Sequence, residues 1–208
     1  MAFGAFKNLG AVALMYQVAL RQAPFVQPIP FDIDTAFRRR LEFDRLNAPV
    51  NASEQAISEF LIAPILQEMW RAFSDALMIW SHVQFGQTAP LKGYPDFMFA
   101  KRSDLGPVLD QPYVLFVETK SDDFDAAWTQ CLAAMLAAQQ LNERPEQVIF
   151  GSVSSGEFWY FGRLDGKTFL RDPRSFSLTH LDELFAALNY IFEQAKEQAL
   201  ATSAGGKP

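Results

Sequence analysis

The chain has 208 residues, of which 50% are hydrophobic and 20% are charged. This size and composition fit one globular domain with a substantial core and exclude a disordered or collagen-like chain. A single cysteine, Cys131, excludes an intramolecular disulfide framework and favours a reducing, cytoplasmic compartment. Two histidines, His82 and His180, are too few for a metal site built from histidine, although carboxylates could hold a hard cation. The net charge of −6 argues against a surface that is basic throughout.

The N-terminal segment predicts a helix. Apolar residues recur at helical spacing over 9–20, and Gln17 interrupts the apolar run. A secretory signal peptide is the alternative interpretation of this segment, and the polar interruption favours the helix. The chain contains no apolar stretch of the 18 or more residues that cross a bilayer. We expect one domain over 1–200, with a disordered tail at 201–208.

The next elements follow a proline-rich connector. The charged segment 35–47 predicts a second helix, and Ser53 is typical of the cap that begins a third. An apolar stripe continues this third helix to Phe73, and Pro64 should kink it or end its first half. Three strands are then expected, at 76–85, 95–101 and 113–120.

The second half of the chain alternates helix and strand. An alanine-rich helix is expected from Phe124 to Asn142, and a final helix over 181–199. Between them, strands are expected at 147–153, 158–164 and 168–171, the last two joined by an Asp-Gly turn. This order predicts an α/β fold in which a mixed central sheet is flanked by helices.

The densest group of polar residues lies at the ends of two expected strands. The apolar run Tyr113–Val117 is typical of a central strand, and Glu118 and Lys120 follow it on one face, about 7 Å apart. Burial of both charges costs free energy unless they are paired or bind a ligand. Asp96 begins the preceding strand, and it would approach Glu118 if the two strands were antiparallel neighbours.

These residue types suit phosphodiester hydrolysis. Two close carboxylates repel each other, and Mg²⁺ (or Mn²⁺) relieves the repulsion while keeping waters that a phosphate can displace. Lys120 could orient or deprotonate an attacking water and stabilise charge that develops on the phosphate.

The motif Pro95-Asp96, followed 22 residues after the aspartate by Glu118-Thr119-Lys120, resembles the PD-(D/E)XK nuclease superfamily. This superfamily has the restriction-endonuclease-like fold, and the chain is similar to the nuclease region of type I restriction subunits over about 53–164. The resemblance implies an αβββαβ core, here with extra N- and C-terminal helices. It also implies that Asp96 and Glu118 bind Mg²⁺ and that Lys120 is the catalytic lysine.

Two further residues are implied by the same resemblance. The segment SEFLIAPIL, residues 58–66, resembles the first core helix of the family, and Glu59 matches its auxiliary catalytic acid. The helix after Lys120 often carries a glutamine in the family, and Gln130 is the matching candidate. The chain departs from many type I-like members because this helix has no clear tyrosine, which leaves the substrate open.

These observations lead to the hypothesis of a Mg²⁺-dependent nuclease that cuts DNA. Arg38, Arg39 and Arg40 are candidate contacts to the DNA phosphates, and the protein could act as a homodimer. Each residue also has a simpler interpretation: a strand-end ion pair for Glu118 and Lys120, a turn acid for Asp96, and solvated helix residues for the rest. A catalytically silent member of the same fold that binds nucleic acid or protein is therefore the main alternative. An unrelated α/β interaction protein is the third.

Overall fold

The computed structural model describes residues 6–201, so residues 202–208 of the predicted tail lie outside the described residues, while residue 201, which the prediction placed in the tail, is helical. The bounds of the helices and strands follow. The helices are α1 (Leu9–Tyr16), α2 (Thr35–Asn47), α3 (Glu54–Ile57), α4 (Ala63–Phe73), α5 (Phe124–Leu141) and α6 (Leu181–Ala201). The strands are β1 (Ala19–Gln22), β2 (Leu77–Ser81), β3 (Phe97–Lys101), β4 (Tyr113–Thr119), β5 (Ile149–Ser154), β6 (Phe158–Asp165), β7 (Thr168–Arg171) and β8 (Phe176–Ser177).

The strands of residues 6–201 form one mixed sheet in the order β1-β7-β6-β5-β4-β3-β2, with β8 paired to β6. β2, β3 and β4 are an antiparallel meander, and α5 crosses over so that β5 runs parallel to β4. From α3 to β5 the order is therefore αβββαβ, with helices added at both ends. The expected fold class is confirmed.

Each face of the sheet is covered by helices. The face that carries Met98 and Phe116 packs against α1 and α5, and the opposite face packs against α2, α4 and α6. The approach of α5 is close, because a Cβ added at Gly151 of β5 would lie 2.6 Å from Cys131 Sγ. Cys131 is buried and free, as its place in an apolar helix predicts.

The third expected helix is interrupted, as Pro64 predicts. A π-helical turn, Ser58–Ile62, separates α3 from α4, and Pro64 lies in the first turn of α4. Proline has no N–H to donate and its ring crowds the preceding turn, so the wider π turn accommodates it without ending the helix.

Two sequence predictions are wrong at the edges of the sheet. The first helix ends at Tyr16 instead of reaching residue 20, because Ala19–Gln22 form a strand parallel to β7. The first strand of the meander begins at Leu77 and ends at Ser81 instead of spanning 76–85, because His82 adopts a left-handed backbone with φ 52°. The other bounds differ from the predictions by a few residues at most.

A buried carboxylate holds the connector that follows β1. Asp172 accepts hydrogen bonds from the backbone N–H groups of Phe25 and Val26, each 2.9 Å, and pairs with Arg174 at 2.7 Å. Burial acts to raise the pKa of Asp172, but the hydrogen bonds from Arg174 and from the backbone hold it well below its usual range. The N-terminal segment is therefore tied to the end of β7 through one ionised side chain.

None of the helices within residues 6–201 combines the length and the apolar character that a membrane crossing requires.

Candidate active site

Asp96 and Glu118 come together at one end of the meander. β3 and β4 are antiparallel neighbours, as the sequence analysis required, and Phe97 is paired with Val117. Asp96 and Glu118 are the next residues in this register, and residues directly opposite each other in an antiparallel pair point to the same face. The fold therefore brings together the two carboxylates of the motif.

Asp96 is fixed by the neighbouring strand. Its Oδ2 accepts a hydrogen bond of 2.7 Å from the backbone N–H of Thr119, and its Oδ1 lies 3.5 Å from His82 Nε2. Burial raises the pKa of Asp96, while the Thr119 hydrogen bond and the charge of His82 act to lower it. The side chain keeps 26% of its accessible surface, so this carboxylate is open to solvent or a ligand.

Glu118 is buried with one oxygen unsatisfied. Only 1% of the residue is exposed, and its Oε1 has no hydrogen-bond partner. Burial, and then the negative charge of Asp96, raise the pKa of Glu118 well above its usual range. A buried acceptor without a partner costs about 1–3 kcal/mol, so this carboxylate is a local source of instability unless a proton or a cation neutralises it.

Lys120 is held by a residue that the sequence analysis missed. Its Nζ donates a 2.8 Å hydrogen bond to Glu54 Oε2 in the first turn of α3. Burial acts to lower the pKa of Lys120, but the hydrogen bond and charge of Glu54, with the charges of Asp96 and Glu118, outweigh it and the pKa is raised. Lys120 is therefore an ammonium at neutral pH. The sequence signal that could have identified Glu54 is the helix cap at Ser53, whose side chain accepts a hydrogen bond from Ala56 N–H, because this cap places Glu54 in the first turn.

A cavity of about 940 Å³ opens beside these residues. Asp96 and Thr119 line it from the sheet, Glu54 and Glu59 from the helices, and His82 from the end of β2. Glu59 is exposed and accepts a hydrogen bond from Gln55 at 2.9 Å, so it shares the cavity with Asp96 but does not contact Lys120. Glu118 and Lys120 are not part of the cavity wall.

Gln130 is separated from this cluster. It lies on α5 and lines a different cavity, of about 170 Å³, together with Asn8 and Asp123. The cavity beside Asp96 therefore does not include Gln130, and its role as an auxiliary residue stays a prediction.

The arginine run lies on α2. Arg38 pairs with Asp182 at the start of α6, and the Arg40 guanidinium lies 5.9 Å from the centre of the Phe37 ring. Arg39 is exposed. Arg38 thus has an acidic partner within the fold, whereas Arg39 extends into solvent.

The donor set fits a hard divalent cation. Within residues 6–201, no group of three or more His, Cys, Asp or Glu side chains is arranged to hold a metal ion. Mg²⁺, however, is commonly bound by one or two carboxylates, with waters and substrate oxygens in its other positions. Asp96 and Glu118 supply two such carboxylates, of which Asp96 lines the cavity and Glu118 lies buried beside it with Oε1 unpartnered.

Comparison with known proteins finds little similarity. No protein-family model and no curated protein matches the chain. Among solved structures, the fold is similar to part of a chain in a cryo-electron-microscopy structure of a DrdV–DNA complex, with 16% sequence identity and a TM-score of 0.43. The match covers 76% of this chain and 13% of that chain, so this chain spans about an eighth of its length. A similarity at this level assigns neither family nor activity, and the proposals below rest on the site.

Proposed function

We propose that the protein is a Mg²⁺-dependent nuclease that hydrolyses DNA phosphodiester bonds. The observation that carries the proposal is the pairing of Asp96 with the buried, partly unsatisfied Glu118, with Lys120 two residues further along. A buried carboxylate without a full set of partners lowers stability, and one that lies beside a second carboxylate at the edge of a cavity is typical of a functional site.

Each residue has a defined task in this proposal. Asp96 and Glu118 hold Mg²⁺, which supplies Lewis-acid stabilisation of the phosphate when it is bound. Lys120 is protonated, so it donates hydrogen bonds to the attacking water or to a phosphate oxygen, and it does not abstract a proton. Glu54 fixes the position of the Lys120 ammonium.

The charge of the cavity bears on how substrate binds. Glu54, Glu59 and Asp96 all line it, and these acids repel a phosphate backbone. Substrate binding should therefore require the divalent cation, with the remaining phosphate contacts supplied by exposed side chains such as Arg39. A net charge of −6 is compatible with this local, metal-linked binding.

The test is cleavage of labelled single- and double-stranded DNA with Mg²⁺, Mn²⁺ or EDTA present. Wild type should cleave with metal and not with EDTA. Lys120→Ala should lose about 10²–10⁴-fold in rate with the melting temperature retained. Lys101→Ala, a change of another lysine at the far end of β3, should cleave like wild type. Wild type that neither cleaves DNA nor binds metal in calorimetry would overturn the proposal.

A silent module of the same fold is the second candidate, and two observations favour it. Glu118 is absent from the wall of the cavity, and Lys120 is occupied by Glu54. Under this alternative, the wild type and Lys120→Ala would retain DNA in a binding assay to the same extent, without cleavage under any metal condition.

A further inference from the structure

We propose that His82 is a further protein ligand, in addition to Asp96 and Glu118, for the cation of the proposed site, and that its imidazole makes the site select Mn²⁺ over Mg²⁺. This inference rests on the proposed function, because it takes Asp96 as a cation ligand. It adds a nitrogen donor from the residue after β2, which neither the motif nor the resemblance supplies.

The distance between the two side chains fits a shared ion better than a hydrogen bond. His82 Nε2 lies 3.5 Å from Asp96 Oδ1, whereas N–H···O hydrogen bonds are about 2.7–3.2 Å long. Two ligands at right angles around an octahedral cation, each about 2.1 Å from it, are about 3 Å apart. A movement of about half an ångström therefore converts the observed pair into two adjacent ligands.

Hydrogen bonds hold the far side of each side chain. Ser81 Oγ lies 2.7 Å from His82 Nδ1, and the backbone N–H of Thr119 holds Asp96 Oδ2. In the tautomer whose Nδ1–H donates to Ser81, the Nε2 lone pair faces Asp96 Oδ1 and is available to a cation. A cation between the two atoms would accept both lone pairs. Histidine ligands of metals are commonly oriented in this way through their second nitrogen.

The backbone at His82 is adapted to this placement. His82 has φ 52°, which is uncommon for a residue other than glycine, and its N–H donates to the carbonyl of Asp96 at 3.1 Å. The imidazole also lies edge-on to the Phe97 ring, with 6.0 Å between the centres. The left-handed turn thus ends β2 and holds the imidazole beside Asp96, with three separate contacts to the start of β3.

Ligand chemistry gives the selectivity. Imidazole nitrogen suits transition metals, whereas Mg²⁺ takes oxygen ligands almost exclusively. Glu54 and Glu59, the other acids of the cavity wall, attract any divalent cation and provide no such preference. Discrimination between Mn²⁺ and Mg²⁺ in this cavity therefore depends on His82.

The test measures binding of MnCl₂ and MgCl₂ separately by calorimetry at pH 8, with no DNA present. The variants are His82→Asn and His82→Gly, since both residues tolerate a left-handed backbone. The matched control is His180→Asn, which changes the other histidine of the chain. His82→Asn and His82→Gly should each lose about tenfold or more in Mn²⁺ affinity, with Mg²⁺ affinity within about twofold of wild type. Pulsed electron paramagnetic resonance of bound Mn²⁺ should show nitrogen coupling that both variants lose.

Other outcomes overturn the inference. If His82 only forms an ion pair with Asp96, it competes with the cation, and both variants would bind Mn²⁺ as tightly as wild type or more tightly. That result, with cleavage by wild type intact, removes the role of His82 and leaves the nuclease proposal standing. If wild type bound neither Mn²⁺ nor Mg²⁺, both the role of His82 and the proposed nuclease function would be overturned. Asp96→Asn should lose binding of both metals, which checks that binding occurs at this site.

Discussion

Replacement of Glu118 by glutamine should make the metal-free protein more stable. Glu118→Gln keeps the shape of the side chain, removes the buried charge and supplies an amide that can both donate and accept hydrogen bonds. The pKa of Glu118 is raised well above its usual range by burial and by the charge of Asp96, so the folded state holds a proton that the unfolded state has released. The stability of wild type should therefore fall as the pH rises from about 4.3 through the folded-state pKa. The variant lacks this loss, and its advantage should grow with pH.

The magnitude follows from the unpartnered Oε1. A buried acceptor without a partner costs about 1–3 kcal/mol, and this sets the expected gain at a pH where Glu118 is ionised. For a chain of this length, each kcal/mol raises the melting temperature by about 2–4 °C. Bound Mg²⁺ at about 100 times its Kd should stabilise wild type by about 2.7 kcal/mol, and the variant should gain less because one ligand is weakened.

The assay is thermal unfolding of wild type and Glu118→Gln at pH 5, 7 and 9, with EDTA or with Mg²⁺. Glu59→Gln is the control, because the same change on an exposed residue should leave the melting temperature nearly unchanged at each pH. The reasoning would be refuted if Glu118→Gln melted below wild type at pH 9 in EDTA. It would be refuted equally if the difference between the two proteins did not change with pH.

Three other perturbations follow from the packing and from the contacts of the charged residues. Asp172→Asn should lower the free energy of unfolding, measured in urea at pH 7, by about 3 kcal/mol. Because the pKa of Asp172 is lowered in the folded state, this difference should shrink as the pH falls below about 4. An unchanged difference at pH 3 would contradict an ionised Asp172 in the folded state. Gly151→Ala should lower the free energy of unfolding by about 1–3 kcal/mol, because its Cβ would lie 2.6 Å from Cys131 Sγ. In the double variant, Cys131→Ala should recover part of this loss. If the effects of the two substitutions were simply additive, the clash would be contradicted. Glu54→Gln should lower the cleavage rate by loosening Lys120, with little change in melting temperature, and a rate equal to wild type would exclude a positioning role.

Local signals predicted the parts of the fold that local sequence determines. Helix α2 matches its prediction at both ends because Asp34 caps its first turn, accepting from Phe37 N–H. The apolar run before Glu118 marked β4 as central, and all seven residues of β4 are buried. The site could be located in the sequence for the same reason, because its charges interrupt that pattern at the point where the strand ends.

Tertiary contacts decided what local signals could not. All four residues of β1 are exposed, so no pattern of burial marks it, and its existence depends on β7, which lies about 149 residues further along. The resemblance identified Glu59 on the helical segment that also carries Glu54, whereas the contact of Lys120 with Glu54 joins residues 66 positions apart, which no local pattern marks. His82 fitted a strand pattern, and only the contacts with Asp96 account for its left-handed backbone.

The parallel pairing of β1 with β7 has a consequence for the order in which the chain acquires its structure. Ala19 pairs with Thr168, so this strand cannot form until the residues between them have been synthesised. Closure of so long a loop is entropically expensive and is favoured once the rest of the sheet is in place. β1 and the connector held by Asp172 should therefore dock late, onto a sheet already complete from β2 to β7. In native-state hydrogen exchange, the amides of β1 should therefore open at a lower free energy than those of the central strand β4.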